Sequence, residues 1–189
     1  MNDDSINKNE ILRFIFEFLI VFILIVGVPF MLSGVWPPFV NIISESMEPN
    51  MNSGDMVFIV ENERYVDGSV HAGINTGESE AKKKFNKYGD VIVYYPDGKN
   101  ESIPIIHRAE LYVEKGEDWT KKADREHLTY NDCSMLKYCP APHSGFITLG
   151  DNNQYYDQVG NISSPVKEEW VVGRAMYRIP YAGDINIFT

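Results

Sequence analysis

The sequence predicts a mainly β domain carried outside the membrane on a single N-terminal transmembrane helix. Three observations lead there. From Phe18 to Val35 the chain reads FLIVFILIVGVPFMLSGV, an uncharged run just long enough to cross a bilayer's hydrocarbon core. Trp36-Pro37-Pro38 then breaks any helix. Beyond it, short runs of β-branched and aromatic residues recur between turn residues.

The anchor comes first. Ile11, Leu12, Phe14, Ile15 and Phe16 extend the apolar run, so the span is expected over residues 11–36, with Trp36 at the interface. Pro29 would kink this helix, which membrane helices tolerate. A cleaved signal peptide needs a basic start and a small-residue cleavage site. Here Asp3, Asp4 and Glu10 outnumber Lys8, and no A-x-A pattern follows. Lys8 and Arg13 precede the span, and no lysine or arginine lies between Val35 and Arg64. The positive-inside rule therefore puts residues 1–10 in the cytoplasm and 37–189 on the extracellular face. The C-terminal YAGDINIFT is too short and polar for a second span.

The external part is of single-domain size, roughly 150 residues. Strands are expected at Met56 to Val60 after Gly54-Asp55, and at Val91 to Tyr95 between Gly89-Asp90 and the turn Pro96-Asp97-Gly98. Ile103 to Ile106, Ala109 to Val113, Gly145 to Leu149 and Trp170 to Ile179 continue the series. Residues at about 61–88 and 114–142 read as insertions, with Lys82-Lys83-Lys84 a solvated face. No internal repeat is present.

Acids outnumber bases 27 to 17, a formal net charge of −10. Such a surface repels nucleic acid, so DNA or RNA binding is excluded. The acidic excess suits a halophile's very high salt, and an ordinary acidic surface accounts for it equally well. Cys133 and Cys139 would form a small disulfide loop in an external domain, or else remain two thiols. With His143 they lack a fourth ligand, so no metal is expected.

Three stretches could carry chemistry. Ser44-Glu45-Ser46-Met47-Glu48-Pro49 offers hydroxyls close to the anchor, although serines near a proline more often make a turn. Of four histidines, His71 and His127 fall in polar insertions and His143 in a loop. Only His107 sits in an apolar strand-like setting, as a general base or a structural histidine. Gly150 to Asp157 opens with Asp151 and ends with Asp157. Either carboxylate could orient an imidazole; turn chemistry is the plainer reading, and the ligand spacing of a calcium loop is missing.

Taken in order, Ser-x-Ser-Met-x-Pro, a Gly-Asp strand, Gly-Asp-Val-Ile-Val-Tyr, Ile-His-Arg, Gly-Asp-Asn-Asn with a later Asp, and Val172-Gly173-Arg174-Ala175 resemble the boxes of type I signal peptidases. The resemblance runs from the anchor nearly to the C-terminus, interrupted by the two insertions. It implies a signal-peptidase-like β fold. It makes Ser46 the nucleophile and His107, where bacterial members carry lysine, the base. That substitution is the mark of the archaeal and endoplasmic-reticulum branch. Asp157 corresponds to the triad acid and Asp151 to a second required aspartate. Ser44 would help line the oxyanion hole, and Met47 is expected to contact substrate. Tyr155-Tyr156-Asp157-Gln158 departs from the paired acids and arginine usual in this branch. The implied partners are secretory preproteins with their signal peptides, the lipid bilayer and, further out, the protein translocation channel; no cofactor is implied. Small residues one and three positions before the cut would be preferred. Two other readings are a membrane protease of narrower range and a catalytically dead ectodomain that binds exported proteins.

Overall fold

The computed structural model describes residues 8–65, 71–78 and 83–183. Residues 1–7 of the expected cytoplasmic start at 1–10, part of the first insertion, Lys82 and the end of YAGDINIFT lie outside the described residues. The expected fold class is what the structure has: one long apolar helix followed by a mainly β domain.

Helix α1 (Lys8–Phe22) runs into a wide π turn (Ile23–Gly27) and continues as α2 (Val28–Ser33). Together they are long and apolar enough to cross a membrane, and the spanning window buries nothing against the domain. The π turn falls just before Pro29. A proline cannot donate its backbone hydrogen bond, and its ring crowds the carbonyl four residues back, so widening the turn absorbs the misfit. Gly34 ends the helix in a left-handed conformation, its N–H bonded to Phe30 O. A side chain there would also collide with Arg64 and Glu61.

That junction is tied to the sheet. Ser33 donates its hydroxyl to Ile59 O, and Glu61 N–H donates to Ser33 O. Arg64 donates to the orphan carbonyls of Met31 and Leu32 at the helix end.

Among the described residues six antiparallel strands follow: β1 (Phe39–Asn41), β2 (Met56–Val60), β3 (Val91–Tyr94), β4 (Ile105–Val113), β5 (Gly145–Leu149) and β6 (Val171–Ile179). Their order in the sheet is β1-β2-β6-β3-β4-β5. Register shifts between β2 and β6, β3 and β6, and β4 and β5 bend the sheet. Strand β3 is buried on both faces. Val91 and Val93 join one core with Met47, Met51 and Val57; Ile92 and Tyr94 join another with Ala109 and Phe146. This is the period-two alternation of a strand covered on both sides.

One sequence expectation needs correcting. Ile103 to Ile106 and Ala109 to Val113 are not separate strands; β4 runs unbroken through His107 and Arg108. Strand β1 was not foreseen. Within the stretch from 114 to 142, Trp119, Leu128, Leu136 and Cys139 pack into a third core with Leu111, Ile147 and Tyr156. Cys133 and Cys139 form a disulfide there.

Candidate active site

Strand alternation sorts the chemistry. On β4, His107 pairs across to Ile92 and Arg108 to Val91, so the two neighbours take opposite faces. Each meets a different carboxylate. His107 Nδ1 lies 2.7 Å from Asp157 Oδ2, and Arg108 Nη2 lies 2.7 Å from Asp151 Oδ2.

On the first face, Asp157 is fully buried and His107 is 5% exposed. A carboxylate only accepts, so Nδ1 carries the proton in the neutral ring and Nε2 is left as the acceptor. Ser46 Oγ stands 3.0 Å from that Nε2. Two further hydroxyls donate to Asp157 Oδ2: Tyr94 at 2.7 Å and Thr148 at 2.6 Å. Burial first, and then the charge of Asp157, raises the Tyr94 phenol well above its ordinary value, so it stays a donor. Tyr94 closes the Gly-Asp-Val-Ile-Val-Tyr box but was given no role there, and Thr148 lies in no motif. The cross-strand layout, which puts them beside His107, was the missing information.

On the second face, Arg108 holds Asp151 with two bonds, Nε to Oδ1 at 2.8 Å and Nη2 to Oδ2. Asn50 Nδ2 donates to the same carboxylate at 2.7 Å. Burial opposes ionisation of Asp151, but the bonds and charge of Arg108, with Asn50 and Lys87, outweigh it and lower its pKa. Arg108 also donates to the carbonyls of Lys84 and Gly89, so the first insertion is tied in here. Asp151 is thus occupied by a guanidinium and does not reach His107.

Ser46 is held from both sides. Met47, next to it, is fully buried among Ile42, Met51 and Val57. Its side chain is a core anchor, so a contact of Met47 with substrate would run through its backbone. From the other side, Asn152 N–H donates to Ser46 O at 2.8 Å and Asn152 Nδ2 to Glu45 O at 3.1 Å. Gly150 makes this approach possible, since a Cβ there would stand 2.7 Å from Ser46 O. Ser44 is exposed, its Oγ 3.1 Å from that of Ser46. The pair opens onto a groove of about 420 Å³ whose walls include Val40, Ile43, Ile103 and Ile105.

The second insertion braces the acid loop. His127 Nδ1 meets Gln154 O at 2.8 Å, Tyr156 N–H donates to His127 O, and Asp124 N–H donates to the Tyr156 hydroxyl.

A buried carboxylate, an imidazole and a half-buried serine hydroxyl in line form the layout of a serine hydrolase, on a β domain beside an apolar helix. No family model matches the chain. Curated proteins do. The signal peptidase complex catalytic subunit SEC11 of Eremothecium gossypii is 34% identical over 153 residues, covering 79% of this chain and 64% of the relative. SEC11 of Lachancea thermotolerans is 28% identical over 154 residues, 80% of this chain and 65% of the relative. SEC11C of Homo sapiens is 26% identical over 158 residues, 82% and 59%. The chain is thus similar, over about four fifths of its length, to catalytic subunits of signal peptidase complexes, in keeping with the resemblance to type I signal peptidases that its motifs carry. It spans just under two thirds of the length of the first two relatives.

Proposed function

We propose that the chain is a membrane-bound serine endopeptidase that removes signal peptides from secretory preproteins. One observation carries this reading: Ser46 Oγ, His107 Nε2 and Nδ1, and Asp157 lie in one hydrogen-bonded line at 3.0 and 2.7 Å. His107 takes the Ser46 proton while Oγ bonds to the scissile carbonyl carbon. His107 then protonates the leaving amine as the C–N bond breaks, and water releases the acyl group by the same steps. Asp157 fixes the ring's tautomer and stabilises the imidazolium. The backbone N–H of Ser46, with the Ser44 hydroxyl, serves the developing oxyanion. Asp151 has a positioning role: through Arg108 and Asn50 it holds the loop that carries Asn152 against Ser46.

In this reading the helix over 11–36 spans the cell membrane, 1–10 are cytoplasmic, and 37–189 form the external catalytic domain. The substrate lies extended in the groove, pairing its main chain with edge segments, with the translocation channel nearby as the source of preprotein. The aliphatic walls favour small residues at the cut.

The test uses the full chain in lipid vesicles with a preprotein carrying alanine one and three residues before the expected cut, and N-terminal sequencing of the product. Cleavage after alanine, abolished by a bulky residue at either position, is expected. Cleavage indifferent to both residues rules out the signal-peptide assignment.

A further inference from the structure

Two Asn-x-Ser sequences in the β domain take no part in the site: Asn100-Glu101-Ser102 and Asn161-Ile162-Ser163. Such a tripeptide, without proline at its centre, accepts an N-linked glycan when it stands on a surface loop of a domain outside the cytoplasm. The fold treats the two differently.

Asn100 sits at the tip of the connection between β3 and β4. Lys99, Asn100 and Glu101 are exposed and Ser102 is half-buried. The Ser102 N–H closes a tight turn on Lys99 O at 2.9 Å, placing acceptor and hydroxyl on one short projecting bend. The base of this connection is pinned: Asp97 Oδ1 accepts from the Ser164 N–H and hydroxyl, and Gly98 packs against Trp170. The tip therefore projects from a fixed base. In the second sequence the required hydroxyl is sequestered. Ser163 is fully buried, donates to Ser164 O and accepts from the Asp97 N–H. A transferase that must reach the hydroxyl two residues past the asparagine finds it only in the first.

We infer that Asn100 is an N-glycosylation site of this protein, modified by a membrane oligosaccharyltransferase from a lipid-phosphate-linked sugar donor. The inference rests on the external placement proposed above. In the transfer, the Asn100 amide nitrogen bonds to the sugar's anomeric carbon. The bond from that carbon to the phosphate oxygen breaks, the lipid phosphate leaves, and the amide gives one proton to the transferase. Ile103, three residues on, is 74% exposed and lines the groove. The glycan thus stands at the groove's rim, hydrates an apolar edge, and leaves Ser46 and His107 untouched.

The experiment translates the full chain into microsomal membranes, which glycosylate on their lumenal side, with a Gly/Ser tail containing Asn-Gly-Thr appended after Thr189. Two glycan-sized mass shifts are expected, one from the tail and one from Asn100. Asn100→Gln and Glu101→Pro each remove one shift, Ser102→Thr retains both, and Asn100→Gln leaves preprotein cleavage unchanged. A modified tail with bare Asn100, or a shift that survives Asn100→Gln and disappears with Asn161→Gln, overturns the inference while external placement stands. An unmodified tail and bare Asn100 together overturn the placement and the inference with it.

Discussion

Replacing Asp157 with asparagine separates the two carboxylates of the 150–157 loop. In the native site Asp157 accepts from His107, Tyr94 and Thr148, all within 2.7 Å at Oδ2, with no exposure to water. An amide removes the charge that stabilises the imidazolium. It also turns an N–H₂ toward donors, favouring the ring tautomer that cannot accept the Ser46 proton. The proposed nucleophile and base remain, so activity should fall without vanishing: kcat/KM drops by about 10²- to 10⁴-fold, or roughly 2.7 to 5.5 kcal/mol of transition-state stabilisation. Asp151→Asn acts differently. It strands Arg108, fully buried and otherwise bonded to carbonyls, and costs about 3 to 5 kcal/mol of stability. The assay is preprotein cleavage by both variants, with a thermal melt of each in the same vesicles. Asp157→Asn should melt below native by the cost of setting an N–H₂ against buried donors, about 1 to 3 kcal/mol, yet cleave far more slowly than its folded fraction allows. Asp151→Asn should melt early and cleave in proportion to its folded fraction. Near-native cleavage by Asp157→Asn, beside a folded but inactive Asp151→Asn, would refute the reasoning and give the acid role to Asp151.

Other perturbations test the surrounding shell. Tyr94→Phe deletes one donor to Asp157 and should lower kcat about tenfold with KM unchanged, for a lost hydrogen bond to a charged group of about 1.5 kcal/mol; an unchanged kcat in a folded variant would leave Tyr94 without this role. Burial, with the nearby charge of Asp151, raises the Glu110 carboxyl from 4.5 to about 6 against the opposing pull of Arg108 and Lys87. Between those values the folded chain holds a proton that the unfolded chain releases, so Glu110 makes stability fall as pH rises through that window, by at most about 2 kcal/mol. Glu110→Gln should flatten this slope and raise the melting temperature at pH 7, and equal slopes in both proteins would contradict it. The Cys133–Cys139 bridge closes a loop with a sequence separation of 6, worth about 2 kcal/mol in chain entropy. Reduction should lower the melting temperature by roughly 4 to 8 °C, and no shift would show that the packing around Trp119 holds the segment alone.

Much of the fold was legible because its local signals agree. The uncharged run to Val35 announces the helix, and branched residues after Gly54-Asp55 and Gly89-Asp90 announce β2 and β3. Strand β4 was read as two pieces because His107-Arg108 puts two polar residues in its middle. Both belong there because each finds a buried carboxylate on its own face. Strand β1 was hidden by its three-residue length and by Pro37-Pro38 before it. The motifs proposed Ser46, His107 and an aspartate, and the fold brings Ser46, His107 and Asp157 within hydrogen-bonding distance. The choice between Asp151 and Asp157 depends on which face of β4 each one meets, and loop composition carries no such information. The burial of Met47 was not legible for a related reason: adjacency to a serine does not tell that the next side chain turns into the core.

The central claim is that Ser46 and His107 act as one unit on a peptide bond. The most direct measurement is single-turnover cleavage of a preprotein by the full chain, Ser46→Ala, His107→Ala and the double variant, each confirmed folded by its melt. Members of such a unit are non-additive, so both single variants should lose essentially all cleavage and the double should be no slower than either. Substantial turnover by Ser46→Ala, or losses that multiply in the double variant, would contradict the account.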